Sequence, residues 1–159
     1  MSHIEKQIQE LHAKLQSWED IDPLYTDDRT KELRHKIFHV HARTEKSLEI
    51  LLGNYLLSSV DNKLVLKGEK LNFYRRFTQI LANTDFSKKV TSVQAANLLD
   101  SKLIGKIHKL NTLRVMFSHP SAYEDDIRTY SQNLTKELKV LELLVSVYEG
   151  LSEVFARSN

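Results

Sequence analysis

The 159-residue chain has no cysteine, and it contains only four glycines and two prolines. The absence of cysteine excludes disulfides and thiolate metal sites, and it leads us to expect a cytoplasmic protein. The scarcity of glycine and proline leaves few turn residues, which favours long helices over many short strands. No apolar run approaches the roughly 20 residues of a membrane span, so we expect no membrane partner. The first ten residues have the pattern of an amphipathic helix and not of a signal peptide.

The net charge is small, at +2 with the histidines neutral. Such a balance gives no argument for nucleic-acid binding by bulk electrostatics. Two basic pairs, Arg75–Arg76 and Lys88–Lys89, are interpreted as parts of solvated faces, because charged side chains lie mostly at protein surfaces. A nucleic-acid site would therefore have to be argued from local chemistry.

Apolar residues recur at three- and four-residue spacing along most of the chain, which predicts amphipathic helices. The expected helices cover about residues 4–18, 29–58, 69–82, 93–99 and 101–118, and a last helix follows Pro120. A short extended piece is expected at 64–66 and a loop at 83–89. The chain is thus predicted to be all-α, an antiparallel bundle of four to six helices in a single domain over 1–159, with 1–20 as an extra N-terminal helix.

The predicted helix that ends near residue 118 carries the most informative chemistry. Its apolar stripe is formed by Leu103, Ile107, Leu110 and Phe117. Arg114 falls in the middle of this stripe, and a guanidinium in a core is costly unless it is paired and hydrogen-bonded. We therefore expect Arg114 to be buried, with Glu45 at the apolar edge of the central helix as its structural partner.

His119 is expected at the carboxyl end of the same helix. Pro120 disfavours a helical conformation for the residue before it, so the helix should end at Ser118. The dipole of the helix favours an imidazolium at that end. As an alternative to a catalytic role, His119 serves only to terminate the helix.

No cofactor or metal site is predicted. His35 and His39 lie four residues apart on one helix face, but no HExxH pattern is present and no carboxylate accompanies them, so we interpret them as solvent-exposed. The sequence contains no glycine-rich phosphate loop and no G-x-S-x-G motif.

The segment 110–120, LNTLRVMFSHP, resembles the signature of HEPN domains, an arginine followed after four to six residues by a histidine. Arg114 and His119 satisfy this spacing, and LNTLR matches a run that often precedes the histidine in the family. The segment 42–52 is similar to the first core helix of the family. The sequence departs from the family pattern at Val115, where a polar residue is usual, and Asn111 is considered as its substitute.

The resemblance implies a helical bundle that dimerises with both motif copies facing one cleft. Many members resemble metal-independent endoribonucleases, so His119 would act as acid or base and Arg114 would clamp the scissile phosphate of RNA. Asn111, Glu45 and Ser118 would support them. Other members are non-catalytic, such as the mannitol operon repressor type, or are partners of nucleotidyltransferases. An antitoxin or a nucleotidyltransferase is therefore a candidate partner of this chain.

Two functions stay open, an endoribonuclease and a regulatory or interaction module, and both use a homodimer. Five residues of helix separate Arg114 from His119 by roughly 140°, so a two-fold axis would be needed to bring two such pairs across one cleft. Doubled apolar faces on the second and last helices also predict a dimer. On the last helix the main stripe includes Leu134, Leu138, Leu141, Val145 and Tyr148, and a second face includes Val140, Leu144, Val147 and Leu151.

Overall fold

The computed structural model describes residues 2–21, 27–59 and 67–157. Over these ranges the chain forms seven α-helices and no strand, so the predicted all-α class is confirmed. The helices are α1 (His3–Ile21), α2 (Asp28–Ser59), α3 (Lys67–Ala82), α4 (Phe86–Ala95), α5 (Ser101–Ser118), α6 (Glu124–Gln132) and α7 (Leu134–Arg157). Within the described ranges, no helix combines the length and the apolar character that crossing a membrane requires.

The predicted count of four to six helices is too low, because the last predicted helix is divided into two helices, α6 and α7. Its apolar spacing continues across Asn133, but the backbone there is extended, with φ −112° and ψ 107°. The Asn133 side chain accepts a hydrogen bond from the Lys136 backbone N–H at 3.2 Å, which caps the start of α7. The predicted loop at 83–89 is also too long, since α4 already begins at Phe86. The predicted extended piece at 64–66 lies outside the described residues.

Helix α2 is the central element, and it packs against α3, α4, α5, α6 and α7. It runs in the same direction as α7, because Arg29 near its start is paired with Glu137, and Arg43 further along lies over the ring of Tyr148 at 5.3 Å. The prediction of an antiparallel bundle is therefore wrong for the α2–α7 pair.

The core buries one apolar face from each of the packed helices. The predicted α5 stripe is buried as expected, at Leu103, Ile107, Leu110 and Phe117. On α7 the buried face is the one predicted as secondary, with Val140, Leu144, Val147 and Leu151. The face predicted as the main stripe of α7 is largely exposed, and it does not take part in this core.

A tight connection between α4 and α5 fixes where the key helix begins. Asn97 adopts a left-handed backbone with φ 54°, and the Leu98 N–H donates to the Val93 carbonyl at 3.1 Å, the Schellman arrangement. Three residues later the Asp100 side chain accepts from the Leu103 N–H at 2.7 Å and caps α5.

A buried ion cluster joins α4 to α2. Lys89 is fully buried, and its Nζ donates to Glu45 Oε1 at 2.6 Å and to Glu49 Oε1 at 2.9 Å. Burial alone would lower the pKa of Lys89, but the hydrogen bonds and charges of the two glutamates outweigh it and raise the pKa. The interpretation of Lys88–Lys89 as a solvated face is wrong for Lys89 and holds for Lys88, which is exposed.

We expect Lys89→Ala to lower the free energy of unfolding by about 3 kcal/mol or more, since it leaves two largely covered carboxylates without their cation. Urea denaturation at pH 7 measures this change. Lys88→Ala is the matched control and should shift stability by no more than about 0.5 kcal/mol. Equal midpoints for the two variants would contradict the structural importance of the cluster.

Candidate functional site

Arg114 is exposed, so the prediction that it is buried in the core is wrong. Its guanidinium carbon lies 5.8 Å from the centroid of the Phe38 ring, which is half-buried at the edge of α2. A long side chain on a core-facing stripe can carry its charged group to such an edge while its methylenes stay near apolar surface. The cation–π contact with Phe38 takes the place of the expected ion pair.

Glu45 does not pair with Arg114, contrary to the sequence-based expectation. Its carboxylate is hydrogen-bonded to Lys89, as described above. The sequence predicts Lys89 in a loop on a solvated face, where it would not compete with Arg114 for the Glu45 carboxylate. Glu45 therefore belongs to the ion cluster between α2 and α4.

A second arginine, Arg34, joins Arg114 at Phe38. Its guanidinium carbon is 4.4 Å from the Phe38 centroid, and its Nε donates to the Phe117 backbone carbonyl at 3.2 Å. The latter bond satisfies one carbonyl in the last turn of α5. Arg34 is not among the residues predicted for the site, although its position four residues before Phe38 on one helix is a usable signal. We call Arg34, Phe38 and Arg114 the arginine site.

Asn111 is already engaged, and its partner is a buried histidine. The Asn111 side-chain oxygen lies 3.0 Å from His41 Nε2, and the His41 ring stacks on Phe86 with centroids 4.1 Å apart. His41 is only 7% exposed. Because the oxygen accepts a hydrogen bond, Nε2 carries the hydrogen. The role of His41 as the partner of Asn111 was not foreseen, since the sequence showed only a histidine beside an apolar stripe.

The environment of His41 lowers its pKa. Burial has the largest effect, and the positive charges of Arg114 and Lys89 act in the same direction. The hydrogen bond with Asn111 and the charge of Glu45 oppose them without prevailing. The positive charge of Arg114 thus helps to keep the imidazole of His41 neutral.

His119 occupies the end of α5 as predicted. The helix ends at Ser118, and the His119 backbone, with φ −123° and ψ 64°, donates its N–H to the Met116 carbonyl at 3.2 Å. The imidazole is exposed. The Ser118 hydroxyl donates to the Arg114 carbonyl at 2.8 Å, so it serves the helix end. Within the described chain, no hydrogen bond, ion pair or ring contact joins the Arg114 and His119 side chains.

The arginine site has the chemistry of an anion site. Both guanidinium carbons lie within 6 Å of one ring centroid, so two planar forks that suit phosphate oxygens are held close together. The Phe38 ring is the apolar surface against which both guanidinium groups lie. Val115, at the position where the resemblance implies a polar residue, is 38% exposed and adds no polar group.

In the part of the chain that the structure covers, no group of three or more histidine or acidic side chains is arranged so that it could hold a metal ion. His35 and His39 are exposed, and their rings stack with centroids 6.4 Å apart. A groove of about 700 Å³ between α5, α6 and α7 has Lys106, Lys109, Lys136 and Lys139 along it, but neither Arg114 nor His119 lines it.

Comparison of this chain with family models, with curated proteins and with solved structures found no match. The resemblance to HEPN domains therefore rests on the sequence motif alone.

Arg114→Ala should change the free energy of unfolding by no more than about 0.5 kcal/mol, because the side chain is exposed and lacks a carboxylate partner among the described residues. Thermal and urea denaturation measure the change. A loss of several kcal/mol would instead indicate that Arg114 forms a buried pair in solution.

The lowered pKa of His41 predicts acid-sensitive stability. The unfolded histidine binds a proton near pH 6.5 and the folded one only at lower pH. The contribution of His41 is therefore fully present above about pH 6.5 and is lost as the pH falls towards the folded pKa. Urea denaturation between pH 7.5 and 5.5 should show a shallower pH dependence for His41→Gln than for the wild type. His39→Gln is the control and should keep the wild-type slope, whereas equal slopes for all three proteins would contradict the prediction.

Proposed function

We propose that the protein is a metal-independent endoribonuclease of the HEPN type that works as a homodimer. The observation that carries this proposal is the exposed guanidinium of Arg114, which lies at Phe38 beside Arg34. Arg114 belongs to α5, and the exposed His119 follows the end of that helix. This geometry gives a phosphodiester two cationic ligands and leaves an imidazole accessible at the end of α5.

Cleavage of RNA without a metal needs a base for the 2′-hydroxyl proton, a cation for the phosphorane and an acid for the leaving 5′-oxygen. Arg114 is assigned to the phosphorane, with Arg34 as a second phosphate ligand. His119 is assigned as the acid or base, since an imidazole nitrogen can accept or donate a proton. Because Arg114 and His119 make no contact within one described chain, the dimer is proposed to bring the two motif copies into one cleft.

The supporting residues take narrower roles than the motif implied. Asn111 fixes the neutral tautomer of His41 beneath Arg114, and Ser118 completes the end of α5. Glu45 acts through the ion cluster and not through Arg114. We therefore propose Asn111, Ser118 and Glu45 as positioning residues, with substrate contacts left to Arg34, Arg114 and His119.

The alternative proposal is a non-catalytic helical dimer that serves as a regulatory or interaction module. Two observations favour it: the Asn111 oxygen is occupied by His41, and the neighbouring Val115 is apolar. Neither residue then supplies the polar group that the nuclease members use. An antitoxin or a nucleotidyltransferase would be the partner of such a module or the regulator of the nuclease.

The nuclease proposal is tested by incubating the purified protein with single-stranded RNA in EDTA and following 2′,3′-cyclic phosphate ends. We expect cleavage by the wild type, with about a 100-fold or greater loss of rate for both His119→Ala and Arg114→Ala. His39→Ala and Arg157→Ala change an exposed histidine and an exposed arginine elsewhere, and they should cleave at the wild-type rate.

Absence of cleavage by the wild type would overturn the nuclease proposal and favour the interaction module. Equal cleavage by the wild type, His119→Ala and Arg114→Ala would point to a contaminating nuclease and would likewise overturn it.

A further inference from the structure

Helix α1 presents an apolar stripe that nothing in the described chain covers. It makes no extensive contact with another helix. Its five large apolar side chains are 49–66% exposed: Ile4, Ile8, Leu11, Leu15 and Trp18. A contiguous exposed patch of this kind marks an interaction surface.

Helix α7 presents a second such stripe on the side that faces away from the core. Four of its members are 45–70% exposed: Leu134, Leu138, Val145 and Tyr148. Leu141 lies between them and is half-buried. The two stripes together hold nine of the fourteen large hydrophobics that are exposed in the described ranges, so most of the unsatisfied apolar surface is concentrated on two helices.

The two stripes match each other in period and length. Both have successive spacings of four, three, four and three residues, the 3.5-residue repeat of helices that pack as a left-handed pair. Each runs over fourteen residue steps, about 21 Å of helix. Ile4 to Trp18 can therefore lie along Leu134 to Tyr148 over their whole length.

We propose that the protein forms a dimer in which α1 of each copy packs along α7 of the other, in the parallel direction. The direction follows from charge. The solvent-facing flank of the α7 stripe carries Glu142 and Glu149, and both are exposed. On α1, Lys14 lies on one flank of the stripe and Glu5 on the other. Parallel packing places the flank with Lys14 beside the two glutamates, and these opposite charges attract. Antiparallel packing places the flank with Glu5 beside them, and these like charges repel.

Chain connectivity then assigns the parallel partner to a second copy. The Arg29–Glu137 pair places the start of α2 beside the start of α7. A parallel α1 on its own α7 would end level with residue 151, about 21 Å along the axis and roughly 8–10 Å to the side. Seven residue steps separate Ile21 from Asp28, and they reach at most about 25 Å. The connection would have to be almost fully extended, whereas a second copy imposes no such limit.

The proposed contact has the size of a specific interface. Each copy contributes both stripes, ten apolar residues in all, together with their flanking side chains. This approaches the roughly 20–30 residues a side of a stable interface. The two stripes contain none of the residues of the arginine site, so a failed crosslink leaves the nuclease proposal standing, whereas a monomeric wild type would count against both.

Because the chain has no native cysteine, the contact can be tested by site-directed crosslinking. Leu15→Cys on α1 and Val145→Cys on α7 lie opposite each other in the parallel register. The two single variants are mixed at micromolar concentration, treated with a short bis-maleimide and analysed by mass. We expect the mixed dimer to be the dominant crosslinked product, and we expect the wild type to sediment as a dimer.

Leu15→Cys mixed with Ile80→Cys, an exposed position on α3, is the matched control and should give only background crosslinking. Four results would overturn the proposal. They are a monomeric wild type, self-crosslinking of Leu15→Cys alone, self-crosslinking of Val145→Cys alone, and an intrachain crosslink in the Leu15→Cys/Val145→Cys double variant. The last three indicate an α1–α1 contact, an α7–α7 contact and packing of α1 on its own α7, respectively.

Discussion

The packing of α2 against five other helices is the constraint on which the rest of the structure depends. A helix with neighbours on most of its sides cannot keep all its polar side chains in water, so those that turn inwards need partners. His41 is buried and takes Asn111 from α5, while Glu45 and Glu49 at the edge take Lys89 from α4. These polar contacts connect α2 to α5, which carries Arg114, and to α4.

Much of the fold was predictable because its strongest signals are local and redundant. The bounds of α5 follow from the Asp100 cap and from Pro120, and the long apolar repeat of α2 defines that helix within about two residues at each end. The break at Asn133 was not predictable from periodicity, because the apolar spacing continues across it. The early start of α4 was not evident from the sequence, because turn-forming residues precede Phe86. The Asp85 side chain makes no hydrogen bond that caps the helix.

The sequence located Arg114 and His119 on the last part of α5, but it did not give the surroundings of these residues. Periodicity indicates the face on which Arg114 lies, but not whether a neighbouring helix covers that face at that height. The exposure of Arg114, the second arginine at Phe38 and the capture of Asn111 by His41 all depend on how α2 and α5 cross. The same limit explains α7, where two apolar faces were evident and the sequence could not say which of them enters the core.

The exposure of Arg114 leaves its guanidinium open to a ligand. A buried and paired arginine at this position would be explained by stability alone. An exposed arginine on an otherwise apolar stripe, with no carboxylate partner in the described ranges, gains little stability from its charge. Arg114 interrupts the apolar stripe of α5 with little gain in stability within the chain. Such exceptions are expected where a side chain binds a ligand. Arg34 adds a second positive charge beside Arg114 at Phe38, and two neighbouring guanidinium groups suit an anionic ligand.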